Sequence, residues 1–299
     1  MTIVGIFDKI LTKRAENSTA LLILEVQYML INTVNEKLDI IIVSGQSNGE
    51  GYGIGPTDCP YRPSARVLHM YDTNNQGYVE DEKTYGTFRI TMPRDYLIGI
   101  AEERRSTSGR IGNLGLYFAR KYEEECLDND RKLLIIQCAV GATGFAKENW
   151  GLGSVLYERM CDMTSTALAM NPENRLRAVL WHQGEHDAIF KPQLTDRERE
   201  ELHFKNLEGQ FGDFREKFGV CPIIMGGFTD DWANGFPKAE VIVSAMRRLT
   251  EEFPKAGLAS SAGLETNDGA LGNGDKIHFS RNSLRLFGER YFDIYKLLK

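Results

Sequence analysis

Five short apolar runs, separated by segments with helical spacing, constrain the fold of this 299-residue chain more than any other feature. The runs are mostly rich in aliphatic and β-branched residues and have the length of buried strands. They cover Leu38–Ser44, Lys132–Val140, Leu176–Trp181, Val220–Met225 and Ala256–Ser261. Helical spacing covers Leu114–Cys126, Val155–Met170, Thr195–Phe218, Lys238–Phe253 and Ser283–Leu298. This alternation predicts a three-layer α/β/α sandwich around a mainly parallel, roughly five-stranded sheet.

Two stretches fall outside this pattern. Residues 1–37 precede the first predicted strand, and we expect them to form an N-terminal helical appendage to a main domain over residues 38–299. Within the appendage, Ala20–Ile31 is apolar, but it is short and no small-residue cleavage site follows it. A signal peptide is therefore disfavoured and a cytoplasmic location is expected. The segment Gly51–Arg110 is rich in Gly, Pro, Thr and Tyr, which predicts short hairpins or a loop that builds part of a site.

Charge and cysteine content exclude several classes of partner. The formal net charge is −6, which argues against nucleic acid because such affinity rests on basic side chains. No apolar run reaches the length of a membrane span, so no membrane partner is expected, while a homo-oligomer is left open. The five cysteines are scattered without a CxxC pair, so neither a disulfide framework nor a structural zinc site is expected.

The first predicted strand ends in a glycine-rich turn that contains Ser47. Ligands of open parallel sheets bind beyond the carboxyl ends of the strands, so this turn is a candidate site. One interpretation is a turn with a capping serine. A phosphate-binding loop is less favoured, because the lysine and the full glycine spacing are missing. A third interpretation is a nucleophile, since Gly45, Ser47 and Gly49 match the GxSxG pattern of a nucleophile elbow.

An acid and a histidine lie three residues apart near the carboxyl end of the chain. Asp275 and His278 follow the glycine-rich stretch Gly269–Gly274 and precede the last predicted helix. Such a carboxylate can orient an imidazole, which leaves the other ring nitrogen to accept a proton from a hydroxyl. A solvent-exposed histidine at a helix start is the alternative. The chain order Ser47, Asp275, His278 fits a serine hydrolase.

The segment WHQGEHD at the end of the third predicted strand contains several polar and ionisable side chains in succession. His182, Glu185 and His186 match the HxxEH pattern of inverted zinc peptidases. That chemistry needs both histidines on one helical face, and Gly184 interrupts the pattern. Alternatively, the side-chain amide of Gln183 can donate to a developing oxyanion. A third interpretation is that these groups bond the loop to itself.

Together these segments resemble the SGNH hydrolase superfamily, and more narrowly its sialate O-acetylesterase and acetylxylan esterase branch, carbohydrate esterase family 6. The resemblance spans roughly Asp39 to Tyr291 and implies a flavodoxin-like sheet. The matching blocks are GQSN at Gly45–Asn48, CAVGAT at Cys138–Thr143, WHQGEHD at Trp181–Asp187 and DKIH at Asp275–His278. A further family segment resembles Gly112–Ala119. His186 stands where the family usually has serine.

The resemblance implies a serine esterase that removes O-acetyl groups from carbohydrates through an acetyl-serine intermediate. Ser47 would be the nucleophile and His278 the base, with Asp275 holding the imidazole and Glu185 supporting the site. No metal or organic cofactor is required. A zinc-dependent hydrolase built on His182, Glu185 and His186 and a non-catalytic carbohydrate-binding module are the alternatives.

The resemblance also implies an oxyanion hole, with one departure from the family pattern. Its donors would be the N–H of Ser47, an N–H at Gly141 or Ala142, and the side-chain amide of Gln183. Ala142 stands where the family has a glycine, and alanine resists a positive φ angle. Which of the two backbone amides donates is therefore left open. Trp150 and Trp232 lie in predicted loops, where each could stack on a sugar ring or pack in the core.

Overall fold

The computed structural model describes residues 36–72, 96–106 and 109–299. The predicted helical appendage therefore lies, apart from its last two residues, outside the described part of the chain. The strands are β1 Lys37–Gly45, β2 Val67–Asp72, β3 Tyr96–Ile100, β4 Arg104–Ser106, β5 Gly109–Ile111, β6 Arg131–Gln137, β7 Arg175–His182, β8 Ile223–Gly226 and β9 Ala256–Ala259.

The helices lie mostly between the strands of the main sheet. They are α1 Ser47–Glu50, α2 Leu114–Glu125, α3 Val155–Ala169, α4 Glu185–Ile189, α5 Asp196–Phe218, α6 Asp230–Asn234, α7 Lys238–Glu252, α8 Asn267–Leu271 and α9 Arg281–Leu298, with a 3₁₀ turn at Phe145–Lys147. Side chains cap the amino ends of four of the longer helices, α2, α3, α5 and α9. Thr195, for example, forms a capping box with Glu198 at the start of α5. In the described part of the chain, no helix has both the length and the apolar character needed to cross a membrane.

The main sheet has seven strands in the order β3-β2-β6-β1-β7-β8-β9. All neighbours are parallel except β2 and β3, which pair antiparallel. The five predicted strands are β1, β6, β7, β8 and β9. Counted in chain order, they lie in the order 2-1-3-4-5, which is the flavodoxin-like arrangement. The predicted fold class is therefore confirmed.

Two strands at one edge of the sheet come from the segment predicted to hold hairpins or a loop. β2 has the sequence VLHMYD, in which His69 and Tyr71 interrupt the apolar residues. This sequence lacks the continuous apolar run that predicts a buried parallel strand. It is nevertheless paired with β6 and β3, and His69 is buried. The sheet therefore has two more strands than the roughly five predicted.

Alternating side chains of the central strand β1 divide the core into two halves. Ile40 and Ile42 belong to the cluster that includes residues of α3, α5 and α7. Ile41 and Val43 belong to the opposite cluster, which includes residues of α2 and α9. Both faces of the sheet are thus covered, and the strand ends are left as the place where polar groups can gather.

Candidate active site

The turn after β1 places Ser47 at the point where the strand order reverses. β1 has β6 on one side and β7 on the other, and ligand sites of open α/β sheets occur at such a point. Gly45 has a φ angle of +111°, and a Cβ on it would lie 2.1 Å from the carbonyl oxygen of His182. Only glycine allows this approach, in which the Gln46 N–H donates to that oxygen at 2.7 Å. The chain then enters α1 at Ser47.

The side chain of Asn48 joins this turn to the carboxyl-terminal loop. Its Nδ2 donates to Glu185 Oε1 at 2.8 Å and to the carbonyl oxygen of Ile277 at 3.1 Å. Its Oδ1 accepts from the N–H of Phe279 at 3.1 Å. The two backbone groups flank His278. Asn48, the residue after Ser47, is therefore bonded to the backbone of the residues before and after His278. These bonds bring the two ends of the predicted triad to the same edge of the sheet.

The Asp275 carboxylate holds the imidazole of His278. His278 Nδ1 lies 2.9 Å from Asp275 Oδ2, and the Asn267 amide donates to the same oxygen at 2.9 Å. Burial alone would raise the pKa of Asp275, but the bonds from His278 and Asn267 outweigh it and lower that pKa to about 2. An ionised Asp275 favours a proton on Nδ1, so the Nε2 atom is left as the proton acceptor. The ring of Tyr52 stacks on His278 with centroids 5.1 Å apart.

The carboxylate of Glu185 is buried and contacts the loop of His278 through the side chain of Asn48. Besides Asn48, it lies near His182, whose Nε2 is 3.3 Å from Glu185 Oε1. Burial acts to raise the pKa of Glu185, but the interactions with His182 and the bond from Asn48 leave the pKa below its ordinary value. The bond from Asn48 holds that side chain against Glu185, and the predicted role of Glu185 as support for the site stays a prediction.

The loop after β6 carries the two candidate backbone donors of the oxyanion hole. The Gly141 N–H donates to Glu50 Oε2 at 2.7 Å, so this amide already has a partner. Ala142 has a φ angle of +59°, the left-handed conformation that the sequence suggested alanine would resist. Such a conformation costs an alanine about 1–2 kcal/mol. Among the residues that the structure describes, no acceptor bonds the Ala142 N–H.

Gln183 is fully buried and bonded inside the protein. Its Nε2 lies 3.3 Å from Gln46 Oε1 and 3.4 Å from the carbonyl oxygen of Thr143. Gln46 Oε1 also accepts from the N–H groups of Gly184 and His186, each at 3.3 Å. The geometry therefore shows Gln183 bonding the loop after β7 to its neighbours. Its predicted role as an oxyanion donor stays a prediction.

The histidine pair of the zinc interpretation does not share a helical face. His182 ends β7, and its Nδ1 lies 3.2 Å from the hydroxyl of Tyr291. His186 lies in α4, where its ring stacks on Phe190 with centroids 4.7 Å apart. Within residues 36–72, 96–106 and 109–299, no three His, Cys, Asp or Glu side chains form a group that could hold a metal ion. The arrangement that the HxxEH mechanism needs is therefore not formed.

The two candidate sugar-stacking tryptophans have different positions. Trp150 is buried, donates from Nε1 to Thr143 Oγ1 at 3.0 Å and packs edge-on against Trp181. It is a core residue, so the stacking interpretation was wrong for Trp150. Trp232 is partly exposed in α6, with its ring stacked on Phe236. The five cysteines all lie in the described part of the chain, and the structure joins none of them in a disulfide.

The comparison with known families decides what kind of protein carries this site. Residues 37–296 match the model of the family described as "Carbohydrate esterase, sialic acid-specific acetylesterase". This match covers most of the chain. The chain belongs to this family. Its members are carbohydrate esterases, so the predicted class of carboxylic ester hydrolase is confirmed, as is the resemblance to sialate O-acetylesterases. The family description names sialic acid and not acetylxylan.

Individual relatives of this carbohydrate esterase agree with the family match. A probable 9-O-acetyl-N-acetylneuraminic acid deacetylase of Escherichia coli is 25% identical over 66% of this chain and 69% of its own. A probable carbohydrate esterase of Arabidopsis thaliana is 35% identical over 50% of this chain and 55% of its own. An X-ray structure of an Arabidopsis thaliana protein covers 87% of this chain and 98% of its own, with a TM-score of 0.62 and 19% identity. The crystal structure of NanS covers 88% and 97%, with a TM-score of 0.62 and 17% identity.

Several residues that contact the candidate site were not predicted from the sequence. Gln46 and Glu50 lie within or next to the GQSN block, so that block could have drawn attention to them. Tyr52 lies in the irregular stretch after α1 and Arg104 begins the short strand β4, and no periodicity marks either residue. Asn267, the first residue of α8, contacts Asp275 eight positions further along the chain. The other positions depend on contacts between segments that are distant along the chain.

Proposed function

We propose that this carbohydrate esterase removes O-acetyl groups from sugars through an acetyl-Ser47 intermediate, with His278 as base and Asp275 as the group that orients it. The observation that carries the proposal is the bonding of Asn48, the residue after Ser47, to the backbone on both sides of His278. This contact supports a Ser47 hydroxyl within reach of the His278 ring.

In the first half-reaction, Ser47 Oγ attacks the acetyl carbonyl carbon while His278 Nε2 takes the hydroxyl proton. The tetrahedral intermediate then expels the sugar oxygen, which takes that proton from His278. This leaves acetyl-Ser47 and the free sugar hydroxyl. The ionised Asp275 stabilises the imidazolium that forms between the two proton transfers.

In the second half-reaction, water attacks acetyl-Ser47 and gives a proton to His278. Collapse of the second tetrahedral intermediate releases acetate and returns the proton to Ser47 Oγ. In both steps the backbone N–H groups of Ser47 and Ala142 stabilise the oxyanion. The bond between Gly141 N–H and Glu50 supports Ala142 as the donor in that loop. One such donor typically contributes about 3 kcal/mol of transition-state stabilisation.

Within O-acetylated carbohydrates, the substrate class that we propose is O-acetylated sialic acid. The family description names a sialic acid-specific acetylesterase, and the Escherichia coli relative is named for 9-O-acetyl-N-acetylneuraminic acid. Measuring acetate release from acetylated sialic acid and from acetylxylan tests this choice. Higher kcat/KM for the xylan would contradict it while leaving the serine mechanism intact.

The mechanism is tested with Ser47→Ala, measured as turnover of 4-nitrophenyl acetate and of the acetylated sugar. We expect a loss of at least about 10³-fold in kcat. Ser260→Ala, at an exposed serine in the loop after β9, is the matched control and should keep wild-type turnover. Rapid-quench mass spectrometry should find an acetyl group on Ser47. Near-wild-type turnover of Ser47→Ala would disprove the proposal.

A further inference from the structure

The carboxylate of Glu50 lies inside the esterase site without a role in proton transfer or nucleophilic attack. Its Oε2 accepts the N–H of Gly141 at 2.7 Å. A Cβ built on Gly141 would lie 3.3 Å from that oxygen and 3.6 Å from Ser47 Cβ. Glu50 therefore meets the loop after β6 at the position where this loop faces the nucleophile.

Both the backbone and the carboxylate of Glu50 are held in place. Its N–H donates to the carbonyl oxygen of Gln46 at 2.8 Å within the turn, and its carbonyl oxygen accepts from Asn113 Nδ2 at 2.8 Å. Its second carboxylate oxygen pairs with Arg104 Nη1 at 3.2 Å. Arg104 also donates to the carbonyl oxygen of Gly51. The carboxylate thus has little freedom to move away from Gly141.

The loop that Glu50 contacts contains a strained residue. Ala142 follows Gly141 and has a φ angle of +59°, which an alanine adopts only when its surroundings hold it there. On the other side of Ala142, Lys147 Nζ donates to its carbonyl oxygen at 3.3 Å. The Thr143 hydroxyl bonds back to the carbonyl oxygen of Val140 at 2.7 Å. Side chains therefore hold this turn from both sides.

From these contacts we infer that Glu50 is a positioning residue of the oxyanion hole. By accepting the Gly141 N–H, its carboxylate maintains the strained turn in which the Ala142 N–H is left to donate to the oxyanion. Arg104 fixes the carboxylate at the required distance. The inference rests on the proposed serine mechanism, because the oxyanion forms only during acyl transfer.

Two variants distinguish the effect of the length of the Glu50 side chain from the effect of its charge. Glu50→Gln keeps the length and an acceptor oxygen, whereas Glu50→Asp keeps the charge but withdraws the acceptor by one methylene. We expect Glu50→Gln to keep kcat for 4-nitrophenyl acetate within about threefold. Glu50→Asp should lower kcat by about tenfold or more, with KM within about twofold, because a misplaced donor acts mainly in the transition state.

The matched control is Glu102→Gln, which removes a carboxylate that lies 3.6 Å from Arg110, close to the hairpin that carries Arg104. This variant should have wild-type kcat and KM. Wild-type or higher kcat in Glu50→Asp would overturn the inference. An equal loss of kcat in Glu50→Gln would also overturn it, because the effect would then come from the charge of the carboxylate. Ser47→Ala measured in parallel separates the two proposals. If Ser47→Ala is inactive while Glu50→Asp is fully active, only the inference about Glu50 fails.

Discussion

The carboxylate of Asp275 bonds both the imidazole of His278 and the backbone of its own loop. It holds His278 Nδ1 and also accepts from Asn267 and from the backbone N–H groups of Ile277 and His278. Hydrogen bonds to a charged group are worth more than those between neutral groups. Asp275 therefore contributes both to the tautomer of the base and to the conformation of the loop.

We expect Asp275→Asn to lower kcat by about 10³-fold or more, because an amide does not hold the imidazole as the carboxylate does. It should also lower the free energy of unfolding by about 1–2 kcal/mol at neutral pH. The pKa of Asp275 falls from about 3.9 in an unfolded chain to about 2 in the fold. The stabilisation is therefore complete above pH 4 and is lost as the pH falls through 2.

Urea unfolding of the wild type and of Asp275→Asn at pH 7 and near pH 2 measures this effect. The difference in unfolding free energy between the two proteins should shrink at the lower pH. A difference that is the same at both values would show that the Asp275 charge does not stabilise the fold.

The four-residue helix α1 connects several separate parts of the fold. Ser47 begins it, Asn48 bonds the first residue of α4 and the loop before α9, and Glu50 bonds the loop after β6. The carbonyl oxygen of Gly49 accepts from Gln137 Nε2 at 3.2 Å. Such a short helix has little stability of its own, so these tertiary bonds maintain its shape.

Asn48→Ala removes the bonds to Glu185, Ile277 and Phe279 together. We expect kcat to fall by about 10²-fold, because His278 is no longer held at the nucleophile. The unpaired buried groups should lower the free energy of unfolding by about 2–3 kcal/mol. The matched control is Asn282→Ala, which removes bonds from α9 to Thr57 and Asp58 and should keep kcat. Wild-type kcat in Asn48→Ala would contradict this role.

The two ends of the parallel strands perform different tasks. The proposed catalytic groups gather at the carboxyl ends, whereas a buried ion pair lies near the amino ends of β1 and β6. Asp39 Oδ1 lies 2.7 Å from Arg131 Nε, and both side chains are 2% exposed. Arg131 also donates to the carbonyl oxygens of Leu38 and Glu173. This end of the sheet therefore contributes to stability without contacting the site.

Arg131→Met should lower the free energy of unfolding by about 3 kcal/mol, because it leaves the buried Asp39 without its main partner. At temperatures where the variant is folded, kcat should stay within about twofold of the wild type. Lys132→Met is the matched control, since it removes a partly exposed pair with Glu36 and should cost less than about 1 kcal/mol. Thermal unfolding and turnover measure both effects. A large loss of kcat in folded Arg131→Met would contradict the conclusion that the amino ends of the strands contribute to stability without affecting the site.

Local pattern predicted most of the regular structure, and the exceptions have local causes. The predicted strand Lys132–Val140 ends at Gln137, because the N–H groups of Cys138 and Ala139 both bond to the carbonyl oxygen of Val43 as the chain turns. The predicted strand Val220–Met225 begins three residues late, at Ile223, directly after a proline. β2 was missed because a buried histidine interrupts its apolar residues.

The amino-acid sequence alone determined the layered fold, the order of the motifs and the strand ends at which they lie. Apolar periodicity and glycine turns act over a few residues, so these features can be recognised without coordinates. Only the tertiary structure decided that the Gly141 N–H is occupied by Glu50 and that Ala142 adopts a positive φ angle. These features depend on contacts between residues 91 and 54 positions apart, such as Gly141 with Glu50 and Arg104 with Glu50. No short-range pattern encodes such contacts, because packing of the whole sheet brings the partners together.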